Sequence, residues 1–145
     1  MREVHVDALR DTIAKLCWES CYYLPEDILK GFKRAAATEV SPLGQSILGQ
    51  LIENAELAYQ EHVPYCHDTG LTVVYVELGQ EVHLTGGNYM DAIQEGVRKG
   101  YTEGYLRKSV VGDPLLRVNT GDNTPAVVHT DIVPGDKIKL TVLPK

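Results

Sequence analysis

Residues 71–78, Leu-Thr-Val-Val-Tyr-Val-Glu-Leu, constrain this chain more than any other stretch. The run is apolar and β-branched with little alternation, the pattern of a mostly buried strand. Everything before it carries a different period. Between Val4 and Tyr23, apolar residues recur at Val6, Leu9, Ile13, Leu16, Cys17 and Cys21, the spacing of one helical face. Leu24-Pro25 ends that helix, and Pro25 opens a second with Glu26 and Asp27 in its first turn, running to about Thr38. Ser41-Pro42 repeats the device as an N-cap followed by proline. The third helix carries Ile47, Leu48, Leu51, Ile52, Ala55 and Ala58 and ends near Tyr59.

After the apolar run, Gly79-Gln80 turns the chain into a second strand, Glu81 to Leu84. Thr85-Gly86-Gly87-Asn88 breaks that strand and caps a long helix with a stripe of Met90, Ile93, Val97, Tyr101 and Tyr105. A polar loop from Gly112 to Pro125 follows. Two strands come last, Ala126 to Ile132 and Lys137 to Val142, about the turn Val133-Pro134-Gly135-Asp136. The predicted class is α+β: N-terminal helices, then two β-hairpins flanking a long helix, in one domain over residues 1–145.

With 145 residues the chain can bury roughly two thirds of its unfolded surface. Its formal net charge of −6 argues against nonspecific binding to nucleic acid or to an anionic membrane. A small anion held by a few local cations remains compatible with it. The N-terminus is charged throughout and shows no signal peptide, and no apolar run has the length of a membrane span. The three cysteines, an odd number in a chain of cytoplasmic character, read as reduced thiols or metal ligands before a disulfide framework.

The chemistry-bearing residues gather in two loops. In Pro64-Tyr65-Cys66-His67-Asp68-Thr69-Gly70 a thiol, an imidazole and a carboxylate stand side by side at the mouth of the buried strand. Cys66 can be a small buried hydrophobe, a nucleophile or a metal ligand. Adjacent residues do not readily hydrogen-bond in series, as a Cys-His-Asp triad would require. A single thiolate holds no metal alone. Cys17 and Cys21 share a helical face but sit in its apolar stripe, so core packing is the better reading. Of the five histidines, only His67 and His129 lie near polar loops.

The second loop, Gly104 to His129, holds Arg107, Lys108 and Arg117. Three cations in an acidic chain suit a dicarboxylate, which arginine binds bidentately. Compensation of the helix dipole by Arg107 and Lys108 is the alternative. The run from Asn119 to Pro125 is dense in short polar side chains, as Asx-turns are. Gly86-Gly87 fits either an anion nest or a plain cap.

Taken together, the segments from Leu24 to Ala58, "PYCHDTG", Gly86 to His129 and the closing "LPK" cover nearly the whole chain. In that order they resemble the α subunit, or N-terminal domain, of the class I iron–sulfur fumarate hydratases and the related L-tartrate dehydratases. The Cys-x-Asp-Thr-Gly and Asn-Thr-Gly-x-Asn-x-Pro loops are specific in combination. The resemblance implies reversible hydration of fumarate to L-malate by a [4Fe–4S] cluster used as a Lewis acid. It implies Cys66 as one of three cluster thiolates, His67 and Asp68 as substrate contacts, and Arg107 as the grip on a substrate carboxylate. It assigns no catalytic acid or base within this chain. His67 departs from the glutamine common at that position, which bears on substrate preference.

The other two cluster cysteines and the glycine-rich substrate loop of that family have no counterpart here. The chain is therefore expected to be the N-terminal part of a larger enzyme and inactive alone. Its expected partners are a fumarate- or malate-type dicarboxylate and a β subunit or C-terminal domain, in a homodimer or an α2β2 assembly. A cytoplasmic location follows from the cluster's need for reducing conditions. An L-tartrate dehydratase is the neighbouring alternative. A non-catalytic binding module and a cysteine-dependent hydrolase are alternatives of other classes.

Overall fold

Two prolines and two caps divide the chain much as their chemistry demands. The computed structural model describes residues 1–145. The elements are β1 (Arg2–His5), α1 (Val6–Tyr22), α2 (Glu26–Thr38), α3 (Pro42–Glu61), β2 (Thr72–Gly79), β3 (Val82–Thr85), α4 (Tyr89–Glu103), β4 (Val127–Val133) and β5 (Ile138–Pro144). Ser41 Oγ accepts from Gly44 N (3.4 Å) ahead of Pro42, and Asn88 Oδ1 accepts from Met90 N (2.8 Å) and Asp91 N (3.1 Å). The glycine pair before α4 thus precedes an ordinary asparagine cap. No helix is long and apolar enough to cross a membrane.

The contacts divide the chain into two compact units, residues 21–67 and residues 1–20 with 68–145. In the first, α2 and α3 pack on each other, with Ala55 and Ala58 buried. Lys33 reaches Glu56 across them at 3.2 Å. His62 closes α3 in the left-handed conformation, and its N–H returns to Ala58 O.

The second unit holds a three-stranded sheet in the order β4-β2-β5 and a parallel pair, β1-β3. The apolar run is the central strand: on one face Thr72, Val74 and Val76 are fully enclosed, while on the other Val73 is buried and Tyr75 is 46% exposed. The α+β class holds. The strand pairing differs from two hairpins. β2 runs parallel to β4 and antiparallel to β5, while β3 pairs with β1. The physical reason lies in the turn between β4 and β5. Its backbone groups bond the end of β2, with Gly79 N to Lys137 O, Gln80 N to Val133 O and Glu81 N to Gly135 O. The turn crosses over the end of β2 and sets its two strands on either side. β1 was not foreseen, being four residues long with only Val4 half-buried.

Helices α1 and α4 approach closely along a glycine row. A β-carbon on Gly96 would lie 2.6 Å from Arg10 O, one on Gly100 2.6 Å from Ala14 O, and one on Gly104 2.8 Å from Trp18 Cβ. The spacing of four puts all three on one face of α4. Ile13, Cys17, Ile93, Val97 and Tyr101 are buried in the core, so Cys17 is packing, as its apolar neighbours indicated.

This contact makes a paired prediction. Gly100→Ala gains helix propensity of about 1 kcal/mol but overpacks a backbone contact, and a net loss of about 1–3 kcal/mol is expected. Gly31, inside α2 with nothing within 4 Å of its would-be β-carbon, gives the opposite sign: Gly31→Ala gains about 0.5–1 kcal/mol. Urea midpoints of the two variants check both.

Candidate functional site

Asp68 begins as a turn-former. Its Oδ1 accepts from Gly70 N at 3.1 Å, an Asx-turn that folds the loop back just before β2. Gly70 sits at φ +62°, and a β-carbon there would lie 2.1 Å from Lys145 O. Only glycine fits that conformation and that closeness. Next to it, Leu71 and Lys145 exchange backbone hydrogen bonds at 2.6 and 2.9 Å.

Between Asp68 and Gly70 lies Thr69, only 3% exposed. Its Oγ1 donates to Arg107 O at 2.7 Å, and its carbonyl accepts from Tyr101 Oη at 2.6 Å. Tyr101 is itself 1% exposed, on the buried face of α4. Asn123 completes the frame and is fully buried. Its Oδ1 accepts from Ser109 N (2.7 Å) and Val110 N (3.1 Å), and its Nδ2 donates to Gly70 O (3.0 Å). Each buried polar side chain thus bonds the backbone of another segment. The loops around Asp68 and Arg107 are latched together at two points.

On this frame the polar side chains of Asp68 and Arg107 are exposed. The Arg107 side chain makes no hydrogen bond or ion pair within the chain. Its helix-dipole role falls away, because α4 ends at Glu103 with no basic residue in its last turn. Arg117 adopts φ +55° in a turn, and its N–H returns to Asp113 O. The polar run from Asn119 onward makes Asx-turns, as its composition suggested, with Gly121 N on Asn119 Oδ1 and Thr124 N on Asp122 Oδ1.

Cys66 and His67 close the unit 21–67, and both are exposed. The residue before them is fixed on both sides. Tyr65 N donates to Cys21 O at 3.0 Å, and Asn54 Nδ2 donates to Tyr65 O at 2.7 Å. Burial pushes the Tyr65 phenol above its ordinary range. Cys66 is the one accessible thiol, since Cys17 and Cys21 are buried. No three His, Cys, Asp or Glu side chains gather as a metal site. Cys66 is the only exposed soft donor on this loop. Thr69, Tyr101 and Asn123 were not foreseen as site residues. Asn123 lay inside a run read as turns, and Tyr101 inside an apolar stripe.

A family model described as fumarate hydratase (Fumerase) matches residues 10–145. A Methanocaldococcus jannaschii protein assigned provisionally as an L(+)-tartrate dehydratase subunit alpha is 32% identical over 94% of this chain and 50% of its own length. The anaerobic class I fumarate hydratase of Escherichia coli K12 is 34% identical over 74% of this chain and 20% of its own length. An L(+)-tartrate dehydratase subunit alpha of Escherichia coli UTI89 is 28% identical over 94% of this chain and 46% of its own length. The chain spans at most about half the length of these relatives.

One ion pair beside the frame has a pH signature. Arg98 Nε donates to Asp122 Oδ2 at 2.9 Å, and Thr124 donates to Oδ1 with both its N–H and its hydroxyl. Chiefly through Arg98, the Asp122 carboxyl is held well below the usual carboxylate range. A depressed carboxyl stabilises the fold above its unfolded pKa of about 4 and loses that contribution as pH falls toward the folded value. Asp122→Asn is expected to cost about 1 kcal/mol at neutral pH. The gap from wild type should close below about pH 4, as read from urea midpoints across a pH series.

Proposed function

This chain belongs to the fumarate hydratase family, and from that premise we propose that it supplies the α part of a hydro-lyase interconverting fumarate and L-malate. The observation that carries the reading is that Asp68 and the unpartnered Arg107 are both exposed on one buried frame. An arginine with no acid of its own is open to a substrate carboxylate, which its planar fork meets with two parallel hydrogen bonds. Asp68 and His67 border the same substrate and orient its polar groups. Cys66, exposed and soft, is a cluster ligand.

A [4Fe–4S] cluster, when bound, supplies Lewis acidity to the hydration. Of two further cluster cysteines, one comes from a later stretch of the α part and one from the β part, a β subunit or C-terminal domain, which also brings the catalytic base and additional carboxylate-binding cations. The assembly is a homodimer or α2β2, working in the reducing cytoplasm. A second reading, L-tartrate dehydratase, is favoured by coverage: the relatives so named align with 94% of this chain, against 74% for the class I fumarate hydratase. Both readings remove water from a hydroxy-dicarboxylate.

The test is anaerobic reconstitution of the assembled α and β parts with iron and sulfide, followed by the ultraviolet absorbance of fumarate. Oxygen-sensitive loss of that absorbance supports fumarate hydration. Activity on L-tartrate alone moves the assignment to the second reading, and activity on neither sinks both. Cys66→Ser is expected to abolish cluster uptake, measured as bound iron and sulfide, along with turnover. Full iron content in that variant would remove Cys66 from the ligand set. Arg107→Lys is expected to raise KM and lower kcat/KM by about 10-fold or more, because a point charge replaces the fork.

A further inference from the structure

The Arg107 guanidinium has no partner in the chain to aim it. Its starting point is therefore set by its backbone alone, and Thr69 holds that backbone: Thr69 Oγ1 donates to Arg107 O at 2.7 Å. Thr69 is held in turn from the core, through Tyr101 Oη on its carbonyl at 2.6 Å. It also follows directly on Asp68. One buried hydroxyl therefore links the two exposed side chains most able to engage a dicarboxylate, while contacting no solvent-facing group itself. Asn123 runs in parallel, joining Gly70 O to Ser109 N and Val110 N.

We propose that Thr69 is a positioning residue, whose hydroxyl sets the place of Arg107 relative to Asp68 and so the fit of a four-carbon dicarboxylate. This rests on the fumarate hydratase reading for the identity of the ligand. Threonine is suited to the task. Its β-branch restricts χ1, so the hydroxyl is presented in few rotamers. Its burial excludes water that could replace it at the Arg107 carbonyl. Valine has the same shape and no donor. Serine has the donor and more rotational freedom. A shift of about 1 Å in a substrate-gripping group can cost about 100-fold in rate, so losing one of the two latches is expected to be visible.

The experiment uses the assembled enzyme and two readouts: KM and kcat with substrate, and calorimetric binding of succinate, an unreactive four-carbon dicarboxylate. Thr69→Val is expected to weaken succinate binding and raise KM by about 10-fold, with kcat changed less. Thr69→Ser is expected to stay within about 3-fold of wild type. In an Arg107→Ala background, Thr69→Val is expected to add less than about 2-fold, because the group it positions is gone.

A Thr69→Val enzyme that melts earlier yet keeps wild-type KM and succinate affinity overturns the proposal and leaves the family reading intact. Full additivity with Arg107→Ala overturns it equally. If Thr69→Val does not fold, Tyr101→Phe decides, since it releases the Thr69 carbonyl without emptying the core: a raised KM supports the proposal, and an unchanged one overturns it. A wild-type enzyme that neither binds succinate nor turns over fumarate or L-tartrate fails the family reading, and the proposal with it, before any variant is made.

Discussion

The close approach of α1 and α4 is the constraint on which the candidate site depends. Gly96, Gly100 and Gly104 let the two helices meet at backbone distance, where any β-carbon would strike a carbonyl or a side chain. That contact fixes α4 along its length. Tyr101 projects from the same helix, one residue after the middle glycine, and its hydroxyl marks the place where Thr69 must lie. Thr69 then places Arg107, and Asn123 repeats the link just beyond it, at Gly70 in one loop and Ser109 in the other. A shift of α4 would reach Arg107 through two hydrogen bonds with no flexible side chain in between. Rigid packing under a functional loop is the ordinary arrangement. Here its route can be followed atom by atom.

The sequence made the helices legible because proline and short polar caps act locally. Pro25, Ser41-Pro42 and Asn88 mark helix starts by the hydrogen bonds and φ angles they impose, with no knowledge of the rest of the fold. The central strand was legible for a related reason, since so apolar and β-branched a run suits a mostly buried strand. Strand pairing was not legible. A short Pro-Gly turn between two strands usually makes a hairpin, but the groups of residues 133–137 bond Gly79 to Glu81 instead of one another. The α4 glycine row is plain in the sequence, yet its meaning depends on α1, far away in the chain, where Gly96 meets Arg10 and Gly100 meets Ala14.

The site divides along the same line. Cys66, His67, Asp68 and Arg107 came to notice because their chemistry is unusual where they stand and because the loops resemble a known pattern. Thr69, Tyr101 and Asn123 gave no such signal. Their partners are backbone atoms, which every residue carries, at sequence separations of 38, 32 and 53. No residue-type pattern reveals such a bond. The general reason is thermodynamic. A buried amide or hydroxyl must find a partner or cost a few kcal/mol, and in a loop region the nearest unpaired groups are main-chain N–H and C=O. Buried polar residues in irregular segments are therefore better read as fasteners than as reagents.

Availability separates Arg107 from Arg98, the other arginine near the frame. Arg98 is held by Asp122 and Glu95 at once, and that double pairing raises its own affinity for the proton while depressing Asp122. A substrate carboxylate approaching Arg98 would have to displace an acid that is already in contact and shares its loop with Thr124. At Arg107 no such competitor exists. A carboxylate that approached it would keep the full Coulombic and hydrogen-bonding gain, less the water it displaced. The chain as a whole carries more acids than bases, so leaving an arginine unpaired is a local arrangement set against the bulk composition. Because the backbone beneath that arginine is held by a buried threonine, the side chain alone has to become ordered when a ligand binds. That would keep the entropic cost of holding a carboxylate to one side chain, roughly 1–2 kcal/mol.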